Sequence, residues 1–261
     1  MRNNSLIEIH DHPAFPPLLR DLFTDALQSI WGFSNSYGAI APRLRALIDQ
    51  LGTHQILDLC SGAGGPLITL APRLQSAADL TLHICLTDKY PNHQALERAS
   101  LNSTFSYESR SIDAANVPAD LPGLRTIFSS FHHFNHLEAR NILADAFHQH
   151  KAIAIFELAN PALKTMLITC SIPFLAMFLS LRARPFRWSR LIFTYIIPII
   201  PFALCYDGII SCFRSYSQQE LHTLVEGLST PTYQWDIGED RSGLLPVTYL
   251  IGSPTQTLSA A

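Results

Sequence analysis

Side chains that can accept a proton follow two apolar, strand-like runs near the middle of the chain. His132 and His133 come directly after the run that ends at Phe131, and Glu157 closes the next run, with Asn160 shortly behind it. A histidine titrates near neutral pH and can act as a general base, while a carboxylate can act as a base or accept a hydrogen bond from a substrate. The alternative is structural: the histidines cap the following helix, and Glu157 accepts bonds from neighbouring backbone amides.

A glycine-rich turn earlier in the chain has the composition of a ligand-binding loop. Residues 56–66, ILDLCSGAGGP, run from apolar into small side chains, with Gly62, Gly64 and Gly65 at the point where a strand is expected to turn into a helix. Glycine permits left-handed backbone conformations and removes the side chain that would block a ligand. Because a helix N-terminus offers unpaired N–H groups, the turn predicts a binding site. A tight turn without a ligand is the alternative.

Two cofactor classes suit such a turn, and position 67 helps to separate them. A dinucleotide-binding fingerprint places a third glycine there, so that the helix packs closely on the strand, but the residue is Leu67. An adenosine ligand that carries carboxylate and amino groups requires an acid at the end of the second strand for the ribose hydroxyls, and Asp88 stands there. Such sites also commonly place a polar side chain after the third strand for the adenine amino group, and Asp113 stands there. The pattern favours the second class.

Four segments in this order resemble the motifs of the class I S-adenosylmethionine-dependent methyltransferases. They are DLCSGAGGP (58–66), LTDKYPN (86–92), SIDAANVP (111–118) and IFSSFHHF (127–134). The resemblance covers roughly residues 39–159, and the runs YQWDIG and VTYLIGSP near the C-terminus match the closing antiparallel hairpin of that family. Cys60 departs from the pattern, because it occupies the place of the usual first glycine.

The resemblance implies S-adenosylmethionine as the cofactor. It places the cofactor carboxylate and amino group by Gly62 and Gly64, the ribose on Asp88 and the adenine beside Asp113, and it makes Tyr37 part of an N-terminal cover over the site. Ala114 would supply a backbone contact to adenine, and Ser129 or Ser130 would flank the methionine moiety. The residues expected at the cofactor are therefore Asp58, Cys60, Gly62, Gly64, Asp88, Lys89, Asp113, Ala114, Ser129, Ser130 and Tyr37.

The same resemblance defines what the candidate bases would do. Methyl transfer is a displacement at a sulfonium carbon, so the acceptor must be aligned and any acceptor proton removed. His132, His133 and Glu157 are the expected catalytic residues. Asp207, in CYDGII, is a further candidate that would line the acceptor pocket, with a plain Asp-Gly turn as the alternative. The acceptor atom stays open among oxygen, nitrogen, sulfur and carbon.

The elements that must position these residues alternate along the chain. Such alternation predicts βαβ units and an α/β fold with a mostly parallel, Rossmann-like sheet that ends in an antiparallel hairpin. The expected strands are 55–59, 80–88, 104–111, 124–131 and 152–158, followed by the two C-terminal runs. The expected helices are 15–50 with a break at WGFSNSYG, 66–73, 95–99 and 137–148. We expect an N-terminal helical cover at 1–50 and a cofactor-binding domain at 51–261.

An apolar segment, 162–206, is expected as a helical insertion after the fifth strand. Its first run is about long enough to span a bilayer but contains Lys164 and Pro173, and Pro198 and Pro201 break the second run. We expect a lid over the acceptor pocket, which predicts a lipophilic or aromatic acceptor, because an apolar pocket solvates a charged one poorly.

A peripheral membrane contact is the main alternative for this segment. Cationic side chains beside a tryptophan suit the level of lipid headgroups. Those side chains are Arg182, Arg184, Arg187 and Arg190, beside Trp188. Two full membrane spans are the least favoured interpretation.

Composition bounds the function further. The 261 residues are 48% hydrophobic and 15% charged, with a net charge of −3, which argues against a nucleic-acid partner. The odd number of cysteines and the absence of a CxxC pair predict neither disulfides nor a metal site. Without a secretory signal at the N-terminus, we expect a cytoplasmic protein, with membrane association as the alternative. The cysteines are Cys60, Cys85, Cys170, Cys205 and Cys212.

The sequence therefore predicts S-adenosylmethionine-dependent methyl transfer to a small, lipophilic or aromatic acceptor. The alternative is a noncatalytic adenosine-ligand-binding or membrane-associated protein that keeps the same fold. A nicotinamide-dependent oxidoreductase is disfavoured by Leu67 and Asp113. The oligomeric state stays open.

Overall fold

The computed structural model describes residues 6–12, 14–62, 64–76, 81–91, 103–182, 186–243 and 245–255. The chain forms two compact units, and each is built from two separate stretches. Residues 1–36 and 159–215 form the first unit, and residues 37–158 and 216–261 form the second. The structure thus joins the N-terminal helix to the apolar segment, whereas the sequence placed a boundary at residue 50.

The second unit contains a sheet that in the described residues has seven strands. The strands are β1 (Gln55–Asp58), β2 (His83–Leu86), β3 (Phe105–Tyr107), β4 (Leu124–Phe128), β5 (Ile153–Glu157), β6 (Tyr233–Asp240) and β7 (Val247–Pro254). Their order is β3-β2-β1-β4-β5-β7-β6. The first five are parallel, and β7 runs antiparallel to β5 and β6. The predicted α/β fold class with its closing hairpin is confirmed.

Helices follow the strands as the alternation predicted, with some different ends. They are α1 (Pro17–Ser34), α2 (Ala41–Leu51), α3 (Leu67–Ser76), α4 (His136–His148), α5 (Leu163–Ser180), α6 (Trp188–Leu191), α7 (Ile199–Arg214) and α8 (Gln218–Val225). The predicted break at WGFSNSYG begins too early, because α1 continues through Ser34 and ends at Asn35. Asn35 adopts a left-handed conformation, which asparagine tolerates at a helix end. The predicted helix 95–99 lies outside the described residues.

The core of the second unit lies between the central strands and the helices α4 and α8. Every residue of β4 and β5 is buried, as expected for strands covered on both faces. Helix α4 contributes a buried stripe at helical spacing to the hydrophobic cluster that includes Leu57 of β1, Ile127 of β4 and Ile155 of β5. This packing fixes the carboxyl ends of the strands, where the candidate site residues stand. The stripe is Ala139, Ile142, Leu143 and Ala146.

The start of α4 is capped by Asn135 and not by the histidines before it. The Asn135 side chain accepts bonds from the N–H groups of Leu137 and Glu138, each at 3.0 Å, and Glu138 accepts the Asn135 N–H at 2.9 Å. This is a reciprocal capping box. The capping role considered for His132 and His133 is therefore wrong, since both precede the cap in a separate short 3₁₀ helix, Phe131–His133.

The first unit is helical. Helices α1, α5 and α7 share a hydrophobic core that includes Leu22 and Phe23 of α1, Ala176 of α5 and Leu204 of α7. A Cβ atom added at Gly208 would lie 2.5 Å from Thr169 Cγ2, so α7 can approach α5 closely only because that position has no side chain. All five cysteines of the chain lie in the described residues and are free thiols.

Helix α5 is long and apolar enough to cross a membrane. Helices α6 and α7 are joined by a π-helical turn at Ile192–Ile196. They are long and apolar enough to cross a membrane only if they are taken together, and the pair is bent by 68°. Length and composition alone do not distinguish a span from a core helix. The burial of α5 is unusual for a core helix, because only Thr165, Thr169 and Ala176 are buried among its 18 residues.

Removing the cap of α4 should weaken the second unit. Asn135→Ala deletes the acceptor for two N–H groups, so we expect the free energy of unfolding in urea to fall by about 1 kcal/mol. Asn135→Asp keeps an acceptor and serves as the matched control, with stability close to that of the wild type. An alanine variant as stable as the wild type would contradict the assignment of the cap to Asn135.

Candidate cofactor site and catalytic pair

The loop after β1 is an unusual run of left-handed backbone. Cys60, Gly62, Gly64 and Gly65 have φ angles of 57°, 54°, 101° and 47°. Glycine, the usual residue of the motif at position 60, adopts left-handed backbone easily. Cys60 adopts the same conformation, so the loop keeps its shape although the residue differs. Among the described residues, none lies within 4 Å of a Cβ atom added at Gly62, so the backbone there leaves space that a ligand can occupy.

Asp88 links this loop to the end of β2. The Gly62 N–H donates to Asp88 Oδ2 and the Tyr90 N–H donates to Oδ1, each at 2.9 Å. Partial burial raises the pKa of Asp88 above its ordinary value, and the backbone N–H donors oppose that shift. A carboxylate has about four acceptor positions, so these bonds leave room for a ribose hydroxyl.

Lys89 and Asp113, two further residues predicted at the cofactor, are in direct contact. Lys89 Nζ donates to Asp113 Oδ2 at 3.0 Å, and the Ala115 N–H donates to Asp113 Oδ1 at 2.9 Å. The Ala115 bond and then Lys89 lower the pKa of Asp113, which keeps it ionised. The Ile112 N–H donates to the backbone oxygen of Asp88 at 3.0 Å, so the loops after β2 and β3 are joined directly. Ala114, which lies between Asp113 and Ala115 in the sequence, is buried in the core.

Asp58 occupies a different environment from the other predicted cofactor residues. Its carboxylate accepts a bond from Thr126 Oγ1 of β4 at 2.6 Å, and its backbone oxygen accepts bonds from Ser61 Oγ and from Thr87. Burial raises the pKa of Asp58 to about 7. Ser61, Thr87 and Thr126 were not singled out in the sequence, and small hydroxyl residues beside a strand-end acid are the signal that would have found them.

Tyr37 and the serines after β4 form a third group. The Tyr37 hydroxyl is hydrogen-bonded to Ser129 Oγ and donates to the backbone oxygen of Phe156 at 3.3 Å. Burial raises the pKa of Tyr37 well above its ordinary value, so the phenol is neutral. Ser129 has a left-handed φ of 45°, and Ser130 Oγ donates to the Phe128 oxygen at 3.0 Å. Tyr37 is thus tied to the carboxyl ends of β4 and β5.

His132 and Glu157 form a buried pair at the same edge of the sheet. His132 Nδ1 lies 2.7 Å from Glu157 Oε2, and the Phe131 N–H donates to Glu157 Oε1 at 2.6 Å. The His133 ring centroid lies 4.4 Å from that of His132. The alternative in which Glu157 accepts a bond from a neighbouring backbone amide is present at Oε1. Its role as a base or as an acceptor for a substrate group stays a prediction.

Asp207 and Asn160 are placed in the first unit. Asp207 is buried in α7 and accepts the N–H groups of Ile9 at 2.6 Å and of His10 at 3.2 Å, with His10 Nδ1 at 2.8 Å. Burial opposes protonation of His10, but Asp207 and the neighbouring acids outweigh it and raise the pKa of His10. The Asp-Gly turn considered for Asp207 is wrong, since both residues lie inside a helix. Asn160 Oδ1 accepts bonds from the Ala162 N–H and Thr165 Oγ1 before α5.

Comparison with known proteins gives a likeness in structure and none in sequence. No family model matches the chain, and no curated protein matches it by sequence. Human N-acetylserotonin methyltransferase in complex with S-adenosylmethionine superposes with a TM-score of 0.52 and 15% identity, over 90% of this chain and 55% of that one. The chain thus spans about half the length of that relative.

Two further structures have similar scores. An O-methyltransferase from neocarzinostatin biosynthesis, in complex with S-adenosylhomocysteine and 1,4-dihydroxy-2-naphthoic acid, has a TM-score of 0.52 and 16% identity over 90% of this chain and 58% of that one. The plantazolicin methyltransferase in complex with S-adenosylhomocysteine has a TM-score of 0.50 and 11% identity over 90% and 97%. The chain has the class I S-adenosylmethionine-dependent methyltransferase fold. At these identities the likeness establishes the fold, and it confirms the fold inferred from the four motifs.

The raised pKa of Asp58 predicts a specific pH dependence of stability. Its folded pKa of about 7 exceeds the ordinary value of 3.8, so the folded state binds the Asp58 proton more tightly than the unfolded state does. This contribution to stability is complete below about pH 4 and is lost as the pH rises to about 7, with a slope of up to about 1.4 kcal/mol per pH unit.

Urea denaturation at several pH values between 4 and 8 measures this effect. We expect Asp58→Asn to lose less stability than the wild type over that interval, since an amide does not ionise. Asp120→Asn, at an exposed position, is the control and should follow the wild type. Parallel pH curves for the wild type and Asp58→Asn would show that Asp58 is ionised throughout.

Proposed function

We propose that the protein binds S-adenosylmethionine along the carboxyl edge of β1 to β4 and transfers its methyl group to a small, lipophilic or aromatic acceptor. The observation that carries the proposal is the connected set of bonds from Gly62 to Asp88 and from Lys89 to Asp113. These bonds join three loops that the sequence assigned to one cofactor. A sheet edge of this kind is where open α/β folds bind ligands.

The chain's residues fit that cofactor in chemistry and in space. The open backbone at Gly62 suits the approach of its carboxylate and amino group, and Asp88 suits the ribose hydroxyls. Asp113 is ionised and suits the adenine amino group. When bound, the cofactor supplies an electrophilic methyl group on a sulfonium. Three structures with the same fold hold this cofactor or its demethylated product, which supports the choice.

His132 is the proposed general base and Glu157 its positioning residue. If Nδ1 carries the proton that Glu157 accepts, the lone pair of the imidazole lies on Nε2, which can take a proton from an acceptor. Glu157 is itself held by the Phe131 N–H, so the ring orientation is set by the backbone after β4. The negative carboxylate also stabilises the imidazolium that proton transfer would form. A hydroxyl acceptor fits best, because it has a proton to lose.

The size and character of the acceptor are proposed from the structural neighbours. Two of them are named for, or solved with, small aromatic compounds, N-acetylserotonin and 1,4-dihydroxy-2-naphthoic acid. Identities of 15% and 16% do not transfer a substrate, so the acceptor class is a proposal. The lid expected from residues 162–206 stays a prediction.

Cofactor binding is tested with S-adenosylhomocysteine by isothermal titration calorimetry. Asp88→Ala should weaken binding by about tenfold to a hundredfold, because each lost hydrogen bond to a charged group is worth roughly 1.5–3 kcal/mol. Asp120→Ala removes an exposed acid of the same type and should bind as the wild type does. Unchanged affinity in Asp88→Ala would contradict the proposed ribose contact.

Methyl transfer is tested with methyl-labelled S-adenosylmethionine and a panel of phenols and hydroxynaphthoic acids, with a cell extract as a second source of acceptor. His132→Gln should reduce kcat by about 10²- to 10⁴-fold while leaving S-adenosylhomocysteine affinity unchanged. His148→Gln, an exposed histidine of α4, is the matched control. Label that partitions into the organic phase supports a lipophilic acceptor, and label in the aqueous phase contradicts it.

Glu157→Gln separates positioning from a purely structural role. Loss of the negative partner should lower kcat and move the acidic limb of the kcat/KM profile to lower pH, since an imidazolium without its carboxylate has a lower pKa. A variant with reduced activity and an unmoved profile would contradict the positioning role. Cofactor binding without transfer to any panel member or extract component would favour the noncatalytic alternative.

A further inference from the structure

Helix α5 presents one continuous apolar stripe to solvent. Leu163, Leu167, Phe174, Phe178 and Leu181, at its end, are all exposed, Phe174 by 73%. At 100° per residue, these positions fall within about 60° of the helix circumference. The buried residues of α5 lie on the opposite side, where the helix packs in the core with α1 and α7. The outer side of α5 is therefore apolar and uncovered by its own unit.

The chain after α5 exposes further large apolar side chains. Phe186 and Trp188 are exposed, with ring centroids 5.2 Å apart, and Trp188 is 72% exposed. Ile196, Ile197 and Phe202 are exposed as well. Monomeric soluble proteins rarely expose so many large apolar side chains within one segment, so such a surface marks an interaction site. We call the stripe of α5 together with these residues the apolar face.

The charges of the same segment have a single sign. Residues 158–206 contain five basic residues and no acidic one, although the whole chain has a net charge of −3. The Arg182 guanidinium lies 4.2 Å from the centroid of the Phe178 ring, so a cation stands at the margin of the stripe. Lys164 stands at the other end of α5 and is exposed. The basic residues are Lys164, Arg182, Arg184, Arg187 and Arg190.

We propose that the apolar face docks on the surface of an anionic lipid bilayer, with α5 in the plane of the interface. Apolar side chains beside cations and a tryptophan match the layered chemistry of that interface, where hydrocarbon, headgroups and anionic charge meet. Arg187 and Arg190 lie 3.6 Å and 3.2 Å from Asp25 of α1, so Lys164 and Arg182 are the cations of the apolar face. A second copy of the chain is a poorer occupant, because residues 158–206 offer these two cations no acidic partner.

An orientation across the bilayer does not fit the first unit. Helix α1 shares its hydrophobic core with α5 and carries Arg20, Asp21 and Asp25. Arg190, which follows α5 in the chain, lies 3.2 Å from Asp25. Immersing α5 would carry these charges toward the hydrocarbon, where ionised side chains are unfavourable. Docking in the plane leaves α1 and its charges on the aqueous side.

Vesicle flotation with the full-length protein tests the proposal. We expect binding to vesicles of phosphatidylcholine with phosphatidylglycerol, weaker binding at high salt, and little binding to phosphatidylcholine alone. Phe174→Ser with Phe178→Ser should reduce binding about tenfold or more. Lys164→Gln with Arg182→Gln should reduce binding to the anionic vesicles by about fivefold for each charge. Leu137→Ser changes a 69% exposed leucine of α4 and should bind as the wild type does.

Tryptophan fluorescence provides a second readout that does not depend on removing the stripe. Anionic vesicles should shift the wild-type emission to shorter wavelength, and Trp188→Phe should abolish the shift while the protein still floats. Thermal unfolding of each variant establishes that it is folded, as expected for exposed positions.

Four outcomes would overturn the proposal. They are the absence of flotation, equal binding to both vesicle types, unchanged flotation of the double serine variant, and a dimer that this variant dissociates while no vesicle binding occurs. Asp88→Ala should float normally, so a failure of the proposed methyl transfer and a failure of membrane docking are distinguishable.

Discussion

The candidate cofactor site depends on one hydrogen bond, from the Gly62 N–H to the Asp88 carboxylate. That bond requires β1 and β2 to be adjacent and parallel, in a register that sets Asp58 opposite Leu86, so that both strands end at the same level. It also requires left-handed backbone at Cys60 and Gly62 to turn the N–H groups toward the second strand. A change in either register or loop conformation would separate the three motifs, even if every motif residue were kept.

A second carboxylate organises the other half of the same edge. The register of β4 and β5 sets Phe128 opposite Phe156, and Glu157 therefore reaches the turn that follows β4. One oxygen of Glu157 holds the Phe131 N–H and the other meets His132. The backbone of the turn and the orientation of the imidazole are thus coupled through a single side chain. Such coupling suits a base that must be held in place, because fixed geometry reduces the cost of proton transfer.

The first unit differs from the second in what its surface exposes. Its core is built from one side of α5, while the other side and the following segment expose large apolar side chains, and residues 158–206 contain basic residues but no acidic one. A helix that served only as a core element would place polar residues on its outer side. Packing within the unit therefore does not account for the exposed apolar side chains of 158–206, and this is the observation on which the proposed docking to lipid rests.

Strand positions, the order of the motifs and the fold class were predictable from the sequence, because apolar runs and glycine turns act through near neighbours along the chain. The likeness to solved methyltransferases confirms the fold class. Tertiary structure decided which distant groups meet: His132 with Glu157, Tyr37 with Ser129, and Asp207 with His10. It also joined residues 1–36 to 159–215, because the apolar faces of helices far apart in the chain are buried only against each other. Local propensity carries no information about such pairs, since they are selected by packing after the chain has folded back on itself.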